Sequence, residues 1–224
     1  MSRRESEVAE YFYQAAEGFD SIYTGRKGRL ARLIDETFRR DIFERFNLTL
    51  AACGDVAGKE ILDIGCGSGR YAVEFARRGA AKVVGVDFAQ SMIRLAEQIA
   101  ARNGFSRVCN FIQTDFVSWQ SPQQYDYSIA IGVLDYVENP SQFLQSMLSL
   151  TRCMSVVSFP SKCWWRFRRL RYRLKQCPLW LYDRNGVEQV LSRVHHVKHE
   201  IHEISGQGYD SIVSIYPPKP FPHG

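Results

Sequence analysis

The chain has 224 residues, 45% of them hydrophobic and 24% charged, with a formal net charge of +5 at pH 7. This balance excludes a disordered or fibrous chain and fits one domain able to bury a substantial core. No run of about eighteen uncharged apolar residues occurs, and "MSRRESEVAEYFYQAAEGFD" lacks the apolar centre of a secretory signal, so a cytoplasmic protein without a spanning segment is expected.

The charge is concentrated in one place. Of 29 basic residues, seven (Lys162, Arg166, Arg168, Arg169, Arg171, Arg173, Lys175) fall in a stretch without an acid, leaving 22 against 24 acidic residues elsewhere. That excludes a surface coated throughout for nucleic acid and marks one candidate contact for an anionic partner, a membrane surface included. The six cysteines form no Cys-x-x-Cys pair and have no histidine at zinc-finger spacing, so free thiols and no metal are expected.

In chain order, residues 5–23 and 29–50 carry helical apolar periodicity and predict two amphipathic helices joined by "TGRKG". "GKEILDIG" predicts a strand, "RYAVEFARRG" a helix closed by Gly79, and "AKVVGVDF" a strand ending in Asp87. "SMIRLAEQIAARNG" predicts a helix with Ser91 as its cap and Gly104 beyond its end. "CNFIQTDF" and "YDYSIAIGV" follow as strands, then "PSQFLQSMLSLT" as a helix and "MSVVSFP" as a strand. Beyond the basic segment, "DRNGVEQVLSRV" predicts a helix capped by Asp183, and "VKHEIHEIS" with "YDSIVSIYPP" an antiparallel hairpin, ahead of a proline-rich tail. Alternating strands and helices imply crossover units, hence an α/β fold whose parallel sheet is covered on both faces.

"ILDIGCGSGRYAVEFA" places Gly65, Gly67 and Gly69 at the joint between the first strand and the next helix. A glycine-rich strand-to-helix turn lets backbone amides approach a ligand, and Asp87 at the next strand tip suits the two hydroxyls of a ribose. A nicotinamide dinucleotide calls for Gly-x-Gly-x-x-Gly, but Arg70 stands at that last position. A nucleoside triphosphate calls for Lys-Ser/Thr closing the loop, and that lysine is missing.

"ILDIGCGSG", followed by "VVGVDF", "FIQTDF" and "YDYSIAIGVLDYV", resembles the class I S-adenosylmethionine-dependent methyltransferases of small-molecule type over about residues 58–160. The resemblance implies a Rossmann-like, seven-stranded, mostly parallel sheet with an antiparallel last strand, helices on both faces and an N-terminal helical lid. Chain 1–224 then reads as a single domain, with the lid at 1–50 and a catalytic core at 58–216 carrying a basic insertion at 161–178. The cofactor implied is S-adenosyl-L-methionine. Asp63, Gly65, Cys66 and Gly67 would line its methionine part, with Gly69 shaping the turn. Asp87 would hold the ribose, Phe88 and Met92 would flank the adenine, Asp115 would accept from its amino group and Phe116 would pack beside the ring. Ile131 would offer backbone to the methionine amino group. From the lid, Tyr23 would touch the sulfonium, where a ring face or phenol oxygen meets a cation, and Arg39 or Arg40 would reach the carboxylate.

After the fourth strand, where such proteins often carry an acid and a histidine, "GVLDYVENP" places Asp135 and Tyr136, which are the catalytic candidates together with Tyr23. His195 and His196 read as the end of a helix and the start of an edge strand. Each reading has a plainer counterpart: an Asp at a strand end can cap a helix, and Phe88 or Phe116 can be core. Neither Asn/Asp-Pro-Pro-Tyr/Phe nor a Pro-Cys pair follows the fourth strand, so nucleic acid is not the expected substrate. The function implied is methyl transfer to an oxygen or nitrogen of a small, anionic or amphipathic metabolite. The alternatives are a cofactor-binding module without turnover, docking on a membrane or protein through the basic helix, and an RNA methyltransferase.

Overall fold

The computed structural model describes residues 43–161, 179–204 and 210–218. Tyr23, Arg39, Arg40, the first expected helix, the basic segment and the end of the tail lie outside the described residues. Helix α1 covers 43–53, and then come β1 (Glu60–Ile64), α2 (Arg70–Arg77), β2 (Lys82–Asp87), α3 (Gln90–Arg102), β3 (Cys109–Gln113) and β4 (Tyr125–Ala130). The chain continues through α4 (Pro140–Ser149), β5 (Thr151–Phe159), α5 (Arg184–Leu191), β6 (Lys198–Glu203) and β7 (Ser211–Tyr216).

The seven strands form one sheet in the order β3-β2-β1-β4-β5-β7-β6. Strands β1 to β5 pair in parallel, and β7 runs antiparallel to both β5 and β6, as expected. The chain winds outward from β1 through β2 to β3, then returns to β4 on the other side. Ligands in such sheets bind in the crevice opened at that reversal, beyond the carboxyl ends of the strands.

The apolar runs explain the central strands. Leu62, Ile64, Val84 and Val86 face one core while Ile61 and Val83 face the other, so β1 and β2 are buried from both sides. Leu50 and Cys53 of α1 fill the second core together with Phe75 and Ile129, and Phe46 stacks 4.9 Å from Tyr71. β6, by contrast, reads "KHEIHE" and lies at the sheet edge, where charged side chains discourage pairing with other chains.

Asp183 caps α5 as expected, its Oδ1 accepting from Gly186 N at 2.8 Å. Ser91, expected to cap α3, does not: the helix starts at Gln90, its N-cap is Ala89, and the Ser91 hydroxyl is buried with no partner among the described residues. The cause lies upstream. Asp87 Oδ1 accepts from Ala89 N at 2.9 Å, so the strand-end carboxylate turns the chain into the helix before Ser91 is reached.

Candidate active site

The loop leaving β1 is drawn over its neighbour, because Gly65 N and Cys66 N both donate to Val86 O at 2.8 and 3.1 Å. Gly65, Gly67 and Gly69 all have positive φ, at 66°, 51° and 73°. A side chain would be strained at each, but only two would also collide with protein. A Cβ on Gly65 would stand 2.5 Å from Val133 Cγ2, and one on Gly69 would stand 2.9 Å from both Ala96 Cβ and Phe111 Cζ. Beside Gly67 nothing lies within 4 Å among the described residues. Gly65 and Gly69 thus make room for packing, while Gly67 leaves bare main chain beside open space.

Asp87 fixes that bare segment. Its Oδ2 accepts from Gly67 N at 3.0 Å while its Oδ1 holds Ala89 N. Each carboxylate oxygen keeps a further lone pair for an incoming hydroxyl.

Asp63 lies deeper, 2% exposed, and its Oδ2 has no partner among the described residues. Burial, reinforced by the charge of Asp87 and opposed by an N–H bond from Ala72, pushes its carboxyl up from an ordinary 3.8 to about 8. Burial also raises Asp87, against its two backbone N–H bonds. The Cys66 thiol between them is held well above its usual value by burial and by both carboxylates, so it stays neutral and is no nucleophile. Among the described residues no cation is paired with either acid, so the unpartnered Asp63 oxygen is free to accept from a ligand's donor.

On the β2–β3 side, Phe88 is half-buried and Met92 is 2% exposed. Asp115 lies exposed beyond β3, where its Oδ1 accepts from Val117 N at 3.1 Å and shapes the turn. Phe116 turns into the first core, its ring 5.0 Å from that of Phe143, where the plainer core reading accounts for it.

On the β4 side, Ile131 is half-buried, and Gly132 N donates to Ser158 Oγ at 2.7 Å, tying this tip to β5. Asp135 is buried, its carbonyl accepting from Trp180 N at 2.9 Å, and Tyr136 is half-buried beside it. Two neighbours here were not read from the sequence. Tyr182 reaches the site because its N–H donates to Pro160 O at 2.8 Å, and its phenol is pushed up to about 12 by burial and the charge of Asp135. Arg45 arrives on α1, its Nη1 3.7 Å from Asp210 Oδ2. Neither stands in a motif; both are placed by long-range packing. His196 pairs instead with His199 at 2.9 Å, and His199 with Glu188 at 3.2 Å, bracing α5 to the edge strand away from the crevice.

The family described as methyltransferase domain matches residues 55–175. The ubiquinone biosynthesis O-methyltransferase of Rickettsia felis is 36% identical over 94 residues, 42% of this chain and 37% of that protein, so the match spans less than half of the relative. Among solved structures, magnesium protoporphyrin IX methyltransferase from Synechocystis PCC 6803 superposes with a TM-score of 0.75 at 20% identity, covering 96% of this chain and all of that one. The [4+2]-cyclase SpnF shares the fold at a TM-score of 0.63 and 18% identity, covering 78% of this chain and 82% of its own. With the family match covering more than half of its length, the chain belongs to the methyltransferase domain family, and it shares the fold of the solved methyltransferase from Synechocystis.

Proposed function

We propose that the protein transfers a methyl group from S-adenosylmethionine to an oxygen or nitrogen of a small, anionic or amphipathic molecule. The observation that carries this reading is the pairing of the orphaned, buried Asp63 Oδ2 with the open main chain at Gly67, which Asp87 holds. These residues fit an adenosyl amino-acid cofactor. Asp63 accepts from its ammonium, Asp87 accepts from its ribose hydroxyls, and Gly67 has no Cβ to keep it at a distance. Phe88, Met92 and Asp115 line the adenine side, and Ile131 offers backbone from β4. Oxygen as the acceptor atom draws support from the O-methyltransferase named among the relatives.

When bound, the cofactor supplies a methyl group activated by a sulfonium. The protein's share is alignment, exclusion of water and control of one proton. Asp135 is a buried carboxyl whose charge faces the Tyr182 phenol, and that phenol keeps its proton at physiological pH. Tyr182 is therefore a donor that orients, and Asp135 is the group able to take a proton from a phenolic acceptor. A carboxylate acceptor needs no such base.

Calorimetry with S-adenosylhomocysteine, followed by transfer of a labelled methyl group into a metabolite extract, tests the reading in two steps. Asp87→Ala is expected to weaken cofactor binding at least tenfold, about 1.4 kcal/mol. Undiminished affinity in that variant removes the ribose assignment. A second reading, cofactor binding without turnover, rests on the cyclase that shares this fold. It gains if the wild-type protein binds tightly yet labels nothing.

A further inference from the structure

Helix α1 brings a cation to the carboxyl end of the sheet. The side chain of Arg45 is only 20% exposed, and 3.7 Å from Asp210 Oδ2 its Nη1 is beyond hydrogen-bond length. Among the described residues this is the one ion pair of the guanidinium, whose fork carries five N–H donors. Asp210, at the entry to β7, is anchored from its other oxygen, since Oδ1 accepts from Ser161 N at 3.0 Å just past β5. A Cβ built on Gly132 would lie 4.0 Å from the same Arg45 Nη1. The cation therefore stands over the tips of β4, β5 and β7.

That position divides the crevice. The glycine loop, Asp63 and Asp87 occupy the tips of β1 and β2, on one side of the chain reversal. The opposite side holds Asp135, Tyr136 and Tyr182, and Arg45 supplies a largely desolvated positive charge there. A planar guanidinium whose counterion among the described residues is loose matches a carboxylate better than it matches Asp210 at its present distance, because two parallel N–H···O bonds become available.

Resting on the methyltransferase reading above, we propose that Arg45 binds a carboxylate carried by the methyl acceptor, and that Asp210 steadies the guanidinium until that carboxylate takes its place. The acceptor is then an acid: one end of it sits on Arg45 while its reacting atom points across β4 toward the glycine loop.

The test uses 3,4-dihydroxybenzoate as probe and 3,4-dihydroxybenzamide as its neutral counterpart, titrated calorimetrically into protein saturated with S-adenosylhomocysteine. The wild-type protein is expected to bind the acid about tenfold or more tightly than the amide, the scale of a bidentate charged pair. Arg45→Met is expected to abolish that preference with S-adenosylhomocysteine affinity within about twofold of wild type, while Arg45→Lys keeps part of it. Asp210→Asn, which removes the competing anion, is expected to bind the acid more tightly, and this keeps the proposal open to test if Arg45→Met fails to fold by thermal melt. Equal or absent binding of acid and amide by the wild type overturns the proposal. So does a tenfold loss of S-adenosylhomocysteine affinity in Arg45→Met, which assigns the cation to the cofactor. A wild type that binds no S-adenosylhomocysteine instead removes the methyltransferase reading, and the proposal with it.

Discussion

Gly65, Gly67 and Gly69 are interchangeable on paper and serve different ends in the molecule. Gly67→Ala meets no neighbour among the described residues, so its expected cost to folding is that of the left-handed backbone, about 1 kcal/mol. Its methyl group does enter the space beside the main chain, so S-adenosylhomocysteine affinity is expected to fall by tenfold or more. Gly65→Ala drives a methyl group to within 2.5 Å of Val133 Cγ2 and is expected to cost more than about 2 kcal/mol in urea unfolding. Equal affinities for wild type and Gly67→Ala would place the ligand elsewhere. The repeated glycines were legible as a ligand loop, yet the division of labour among them was not, because Val133 and Phe111 come from other elements. Phe116 shows the same blind spot: a phenylalanine after a strand-end aspartate reads equally as a ring wall or as core, and only its contact with Phe143 decides.

At the level of elements, the succession of strands and helices followed from apolar runs and helical periodicity, and the hairpin of β6 and β7 from their short connection, while the seven-stranded sheet was implied by the family resemblance and its strand order was not read. Nor was what joins β4 to β5. Ser128 Oγ lies 2.6 Å from Thr151 Oγ1 and 2.7 Å from Ser155 Oγ, and all three side chains are buried. Thr151 Oγ1 in turn donates to Met147 O at 2.8 Å, so a polar knot links the end of α4 to both strands just past the register shift between Tyr125 and Tyr127. Serines inside an apolar strand look like interruptions until their partners across the sheet are known. Ser128→Ala deletes the β4 member and is expected to cost about 1–3 kcal/mol of stability in urea unfolding. Ser118→Ala, at an exposed hydroxyl that donates to Asp115 O, should cost less than about 0.5 kcal/mol. Similar losses in the two variants would show that the knot does not hold β4 against β5. The misplaced cap at Ser91 has a related origin, since the residue that sets the start of α3 is Asp87, on the preceding strand.

Across the whole molecule, the crevice gathers residues from segments far apart in the chain, with Arg45, Asp63, Asp87, Asp135, Tyr182 and Asp210 each arriving on a different element or loop. Local pattern reveals such residues only where a motif marks them, which is why Asp63, Asp87 and Asp135 were named and Arg45 and Tyr182 were not. The gathering also makes the free protein sensitive to pH. Folding raises the Asp63 carboxyl from an ordinary 3.8 to about 8, so between these values the folded state holds a proton that the unfolded state has released. Stability therefore declines as pH rises through that window, by an amount on the order of a few kcal/mol, and the raised Asp87 acts in the same direction. An ammonium placed against Asp63 reverses the preference by favouring the carboxylate, so binding at pH 7 expels a proton and stabilises the protein more at high pH than at low. Thermal unfolding at pH 5.5 and 8, with and without S-adenosylhomocysteine, is expected to show the free protein weaker at pH 8 and the ligand-induced rise in Tm larger there. Asp63→Asn should flatten the first dependence and abolish most of the second. If its free form keeps the wild-type slope, Asp63 is already ionised in the free protein, which requires a cation of the chain itself beside it, and the demand for an external one disappears.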